Sequence, residues 1–520
     1  MSNTTQNRQQ IQIPLITSHN VSKGKSNLNT PLVNWYPVTD PDNQAIYKTY
    51  WYPTPGLSTY LSFKSIPSLA GIVATLSTSR GAFKYKNYLF VALANFVASI
   101  DLDSPAALGT FTNVMTMSTN GSESHANTNG AVKFAAIENQ VVAVDGSSII
   151  SHYNIATGTK TQINLNTAFS REVFASTVSA QDGFFIINNK NTNEFFISNI
   201  NDGTTWNPLA NAFANTTGDP IVGIVSYKAK LYFIGQQSTE VWFNASSNLT
   251  STTDFIMPFE KVQGATIKYG SQAENSIVTS PESILFLSEN AEGQREVISI
   301  TDYQVTPLST IHIVDELNTL SVSRDADAFI YQQDGIYFYQ LSFPTEDQTF
   351  CCNIAGKFWF KKDTWYNNRY GVHRAKWQIY ANGVNICGDR YSLNLLSMSS
   401  TVYQDVGEKI RRVGVSPLMF YNNKNFKLAN LYIDCSVGEG LATDLATEPL
   451  LQVQFSKNGV EWGVAHLKSL GRTGDYDKKV VFGRLGSQKM FQVKLEYTDN
   501  GFCAIYGMTA NVVIQDDYSV

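Results

Sequence analysis

The sequence predicts an all-β chain: a β-propeller, a C-terminal β-sandwich and an extended N-terminal arm. Three observations carry this reading. The composition favours strands and tight turns, since 43% of the 520 residues are hydrophobic, 12% aromatic and only 16% charged. Its 44 Asn and 34 Gly accept left-handed turn backbone, while Tyr, Phe, Thr and Val suit a pleated surface. A hairpin pattern then recurs at intervals of 44 to 53 residues. Near residue 400 that rhythm stops and longer alternating strands replace it.

Residues 1–80 read as an arm with lead-in strands. IQIPLI (11–16) is strand-like, but Pro31, Pro37, Pro41, Pro53 and Pro55 interrupt the Trp- and Tyr-rich segment that follows. Proline offers no N–H to a ladder, so this segment is expected to avoid long pairing and to lie extended. It would pack on its own propeller or cross to a neighbouring subunit.

Residues 81–404 carry the repeat. Its hairpins begin at Lys86 (KNYLFVALANFVASI), Glu138, Gln181, Lys228, Pro281, Gln333 and Ala381, with opening turns near Asn87, Asn139, Gly183, Lys230, Ser283, Gly335 and Gly383. One four-stranded blade with its turns takes about 40–50 residues, and blades bury their faces only against neighbours, so the set must close into a ring. Apolar runs such as Leu89–Leu93 and Ile284–Leu287 suit central strands buried on both faces. Seven hairpins favour seven blades; six blades and a separate hairpin is the alternative. A string of ordinary β-sandwiches is the plainer one. Residues 405–520, with runs such as KLANLYIDCSV and KMFQVKLEYTD, read as the sandwich domain.

The same composition removes several function classes. Charge is too sparse for a disordered solvating chain, and no heptads recur. The longest apolar stretch, Tyr88 to Ile100, is too short to span a membrane as a helix and contains Asn95. The start MSNTTQNRQQ lacks a secretory pattern. Five cysteines include only one sequence-adjacent pair, Cys351 and Cys352, which a strand would point to opposite faces, so synthesis in a reducing compartment is expected. A pI near 5.8 argues against general affinity for DNA or anionic membranes.

No catalytic, cofactor-binding or metal-binding residue is assigned. The six histidines are scattered, no G-x-S-x-G elbow, P-loop or GxGxxG occurs, and SRDADAFIYQQDG lacks the remaining ligands of a calcium loop. Two segments are reminiscent of sialidase Asp-box turns: SNINDGTTW (198–206) and SKNGVEW (456–462). Their spacing departs from that pattern, the chain has 12 arginines with none in a catalytic context, and Asp or Asn, then Gly, then Trp is ordinary turn chemistry. Lys409, Arg411 and Arg412 read as a solvated basic face rather than a DNA contact.

Several segments in order resemble a known family, the tail-hub or nozzle (packaged-DNA stabilisation) proteins of short-tailed bacteriophages. LVNWYPV (32–38) and YPTPGL (52–57) resemble its opening. SNINDGTTWNPLANAFAN (198–215), DPIVGIVSYKAKLYFIGQQSTEVWFN (219–244) and PFEKVQGATIKYGSQAENSI (258–277) resemble its middle. SKNGVEWG (456–463) and AIYGMTANVVI (504–514) fit the sandwich, while the loops at 101–130 and 244–254 lie outside the shared elements. The motif residues, all structural, are Asn34, Tyr36, Pro37, Pro55, Gly56, Trp206, Glu240, Trp242, Gly264 and Trp462.

The resemblance implies a non-enzymatic virion protein, made in the host cytoplasm and placed in the phage tail, without a cofactor. It implies a homohexameric ring below the portal-adaptor ring, continuing the DNA channel. The ring would retain packaged double-stranded DNA without sequence-specific binding, be closed by a tail needle or plug, and anchor tailspikes or tail fibres. No membrane insertion by this chain is expected. A formal charge of −5 per chain, about −30 for six copies, suits a lumen whose carboxylates keep phosphates from sticking. The alternatives are a receptor- or glycan-binding tail protein and, third, a sialidase-like glycoside hydrolase.

Overall fold

The computed structural model describes residues 8–21, 29–40, 48–63, 78–93, 96–103, 112–116, 130–245, 257–420, 424–441, 444 and 446–514. Most of the two Asn- and Ser-rich loops, together with Pro41, lies outside the described residues.

Each repeat hairpin becomes the middle two strands of a four-stranded antiparallel blade. The first blade runs Ser79–Tyr85, Tyr88–Leu93, Phe96–Asp101 and Thr112–Thr116. Four more blades follow as separate sheets, the fifth ending in Gln304–Pro307. The sixth, Asp327–Gln333 to Phe358–Lys361, is part of a larger sheet. The last takes three strands from 375–399 and its outer strand, Gly56–Ser62, from the N-terminal region.

Strand periodicity explains the ring. In Tyr88–Leu93 the side chains alternate, so Leu89, Val91 and Leu93 pack towards the last blade while Phe90 and Ala92 pack towards the second. Phe185 and Ile187 likewise face backward and Ile186 forward. Every one of these side chains is fully buried, worth about 1.5–3 kcal/mol for a large apolar residue. Cys351 and Cys352 follow the same rule into two different cores, and all five cysteines are free thiols.

The sandwich packs two sheets. One contains Trp35–Thr39, Thr49–Pro53, Ile505–Ile514, Phe426–Cys435 and Val480–Gly483, with Arg8–Ile13 also paired to Ile505–Ile514. The other contains Arg412–Val415, Met490–Tyr497, Leu450–Ser456 and His466–Ser469. This second sheet is continuous with the sixth blade. Leu32–Val33 bridges the two, parallel to Phe358–Lys361 on one side and antiparallel to Arg412–Val415 on the other. Propeller and sandwich are therefore joined by a hydrogen-bonded sheet rather than by a linker alone.

Two expectations need correction. The proline-rich segment does pair, with Trp35–Thr39 laddered against Thr49–Pro53 and Pro37 opposite Trp51. Pro37 is tolerated because its strand lies at the sheet edge and needs no second partner. The segment is thus stitched into its own chain, with Trp35 and Trp51 both fully buried. The Lys409, Arg411 and Arg412 run is not a uniformly solvated face. Arg412 is fully buried beside Tyr497, Arg411 Nη2 donates to Asp363 Oδ2 at 3.0 Å, and Lys409 alone is exposed.

Candidate functional site

The motif residues do not converge on one pocket. Asn34, Tyr36, Pro37, Pro55 and Gly56 gather near the propeller–sandwich seam. Asn34 is buried with φ 53°, where Asn is among the residues that tolerate left-handed backbone. Tyr36 packs edge-on against Phe338 at 5.2 Å, and burial pushes its hydroxyl pKa far up. Gly56 is required by contact, since a Cβ there would lie 2.5 Å from the Val402 carbonyl oxygen.

Trp206, Glu240 and Trp242 sit in the third and fourth blades as packing and turn elements. Trp206 Nε1 donates to the Gly203 carbonyl at 3.0 Å, closing the turn in which Asp202 Oδ1 accepts from Thr204 N at 2.8 Å. Buried Glu240 accepts from Thr216 N at 2.5 Å and from Trp242 Nε1 at 3.1 Å. Gly264 holds φ 76° in a loop. Trp462 lies beside a groove lined by Val33, Val413, Val415 and Lys494, far in sequence from the others. The Asp-box-like segments are thus capped turns.

A cavity of about 930 Å³ occupies the propeller axis, lined by the innermost strands from Arg80 round to Lys376. Its charges are largely matched. Arg390 holds Asp327 through two bonds at 2.7 and 2.8 Å, Arg80 meets Asp145 at 3.1 Å, and Lys376 Nζ donates to the Ser79 carbonyl at 3.2 Å. Burial pushes the Lys133 ammonium pKa down, opposed by Glu274 and Asp327, and pushes Glu274 up, opposed by Lys133 and Lys190. Phe83, Phe134 and Trp377 stand in the wall. Such a space admits small molecules but not a duplex, whose major groove alone is about 12 Å wide.

Sequence reading missed a surface rich in carboxylates. The turns between first and second strands, and between third and fourth, share one end of the propeller. Hydrogen bonds join them blade to blade, including Tyr85 Oη to the Glu138 carbonyl, Gln181 Nε2 to Ala229, and Asn382 Nδ2 to Leu102. On this turn face Asp103, Glu138, Asp182, Glu282, Asp302 and Asp334 are exposed, and Asp101 and Asp202 are half-exposed. Its exposed cations among the described residues include Lys84, Lys86, Lys160, Lys228 and Lys357, and Lys228 is held by Asp302 at 3.2 Å. The signal was available: Glu138, Asp182, Glu282 and Asp334 each directly precede an opening turn already assigned.

Among the described residues no cluster of three His, Cys, Asp or Glu is placed to hold a metal ion, and no helix is long and apolar enough to cross a membrane.

Comparison with known proteins adds the family. Residues 11–403 match the family described as Bacteriophage P22 Gp10, beta-propeller, and residues 411–513 match Bacteriophage P22 Gp10, beta-sandwich. No curated protein matches the chain. Similar solved structures include the computationally designed Ika8 protein, at TM-score 0.35 and 11% identity over 62% of this chain and 83% of that one. The Neurospora crassa Pan2 WD40 domain gives 0.38 and 10%, over 67% and 95%. The extracellular domain of a B. thetaiotaomicron hybrid two-component system gives 0.41 and 11%, over 76% and 45%. Likeness at these levels carries no functional argument.

Proposed function

The chain belongs to the bacteriophage P22 Gp10 family and is a structural protein of the phage tail hub; we propose that it acts as one wall segment of a hexameric nozzle. In this reading six copies sit below the portal-adaptor ring and continue the DNA channel. They retain packaged DNA and anchor the needle and the spikes or fibres, and the chain performs no catalysis.

The observation that carries the reading is the sheet running unbroken from the sixth blade through Leu32–Val33 into the sandwich. A ladder of this kind resists swivelling, which a wall holding pressurised DNA requires. The axial cavity is too small for a duplex, so the DNA path belongs between copies rather than through one propeller. A modest negative charge per copy favours sliding over phosphate binding.

The glycan-binding alternative wants aromatic residues beside carboxylates in a shallow pocket. The groove at Trp462 is lined instead by apolar residues with Arg411 and Lys494.

Electron microscopy of the purified chain with its adaptor ring tests the proposal. The expected particle is sixfold with an axial channel. A persistent monomer that binds sugar and never joins the portal-adaptor stack would overturn it.

A further inference from the structure

The acidic turn face has a counterpart of opposite charge on the same chain. Over residues 405–520 thirteen Lys and Arg balance thirteen Asp and Glu, but the cations are unevenly placed. Four of these cations gather around one turn of the sandwich. Arg484 and Lys489 flank it, Lys427 lies in the strand paired with Ser487, and Lys457 Nζ is 3.6 Å from where a Cβ on Gly486 would stand. All four are exposed, and among the described residues no ion pair or hydrogen bond engages their side chains. Beside them, Phe420 and Met490 are cross-strand neighbours, 72% and 40% exposed.

Among the described residues no carboxylate pairs with these four side chains, and the continuous sheet restrains the sandwich from swinging towards the turn face of its own propeller. Three strand steps separate Phe358–Lys361 from Met490–Tyr497. At 20–25° of twist per step the sandwich strands are turned by roughly 60–75° from those of the sixth blade.

We propose that the basic end of the sandwich docks on the acidic turn face of a second copy, joining copies head to tail. The proposal rests on the ring reading above and names its contact surfaces. Charge complementarity supports it, and so does the apolar component, because Ile200 and Tyr380 are 63% and 62% exposed near the turn face. A phosphate backbone would use the four cations but has no use for Phe420 and Met490, so a protein surface fits better than nucleic acid. Heterologous contacts of this kind close into rings when the rotation between copies allows it.

The test is self-association of the full chain, followed by sedimentation velocity at low and high salt, free and with the portal-adaptor stack. Reversing Lys427, Arg484 and Lys489 to Glu is expected to weaken association by about tenfold or more, most strongly at low salt. Glu138→Lys, Asp182→Lys and Asp334→Lys together should do the same. Lys is tolerated at that turn position, since Lys86 and Lys228 occupy it in other blades at φ 51° and 48°. Combining the two sets should restore association, which misfolding would not do. Rings that form unchanged in both single sets would sink this interface and leave the ring reading standing. A wild-type chain that stays monomeric, free and on the stack, would sink both. If the basic variants assemble normally but lose binding to a duplex DNA probe, the basic end is a nucleic-acid contact and the proposal is wrong.

Discussion

Asn34 and Asp363 hold each other across the seam between propeller and sandwich. Asn34 Nδ2 donates to Asp363 Oδ1 at 2.6 Å, and Asp363 N donates back to Asn34 Oδ1 at 3.2 Å. The same Nδ2 reaches the Arg411 carbonyl at 2.8 Å. Burial pushes the Asp363 carboxyl pKa up, against the pull of Arg411 and the Asn34 bond.

Truncating Asn34 should therefore weaken the seam. Asn34→Ala loses these bonds and places Ala at φ 53°, for a loss of about 2–4 kcal/mol. Asn34→Gly keeps the backbone comfortable and should recover part of that loss. Urea unfolding of the three proteins checks the order, and equal midpoints for wild type and Asn34→Ala would contradict it.

Gly56 tests the last blade. Its absent Cβ makes room for the Val402 and Gln404 carbonyl oxygens, 2.5 and 2.6 Å away. Gly56→Ala should destabilise by about 1–3 kcal/mol as the outer strand is forced off its ladder. Limited proteolysis would then cut near 56–62 sooner than in the wild type.

Asp405 should impose a pH dependence. It is buried, its Oδ2 accepts from Thr364 Oγ1 at 2.8 Å, and burial pushes its pKa up to about 6. An unfolded Asp titrates near 3.9, so between about pH 4 and 6 only the folded chain keeps the proton. The stability from this group is full below the unfolded value and is lost as pH rises through 6, by about 2–3 kcal/mol. Subtracting the Asp405→Asn stability profile from the wild type should expose that slope; a flat difference from pH 4 to 7 would rule it out.

The Trp242 ring sits edge-on to Phe195 at 5.2 Å and ties the third blade to the fourth. Trp242→Ala should cost about 3–5 kcal/mol through the cavity and leave Glu240 short of one donor. Trp242→Phe should cost less. Thermal unfolding followed by near-ultraviolet circular dichroism measures both, and an undiminished Trp242→Ala midpoint would refute the packing role.

Legibility followed the range of the interactions. The blades could be read because each is local: a turn residue, an apolar run and an alternating run recur within one repeat. The sandwich strands were legible for the same reason. What Gly56–Ser62 does was not, because its partner Asn394–Ser399 lies more than 300 residues away and leaves no trace nearby. Arg412 was misjudged because a charged residue in a basic run looks solvated until the neighbouring sheet covers it. Pro37 misled in the opposite direction, since an edge strand asks less of a residue than a central one. The turn-face carboxylates were visible in register, one residue before the assigned turns, but were not read as a set.

The strand borrowed by the last blade also sets an order of events during synthesis. Gly56–Ser62 leaves the ribosome early and must wait, unpaired, until residues 394–399 emerge. The other blades can form one after another as they appear, but ring closure is deferred until about three quarters of the 520 residues have been made. A chain cut short before that point carries an open propeller with an exposed sheet edge, a ready target for proteases and chaperones. Closure thus works as a check on the propeller, withholding a closed ring until its last blade has been made.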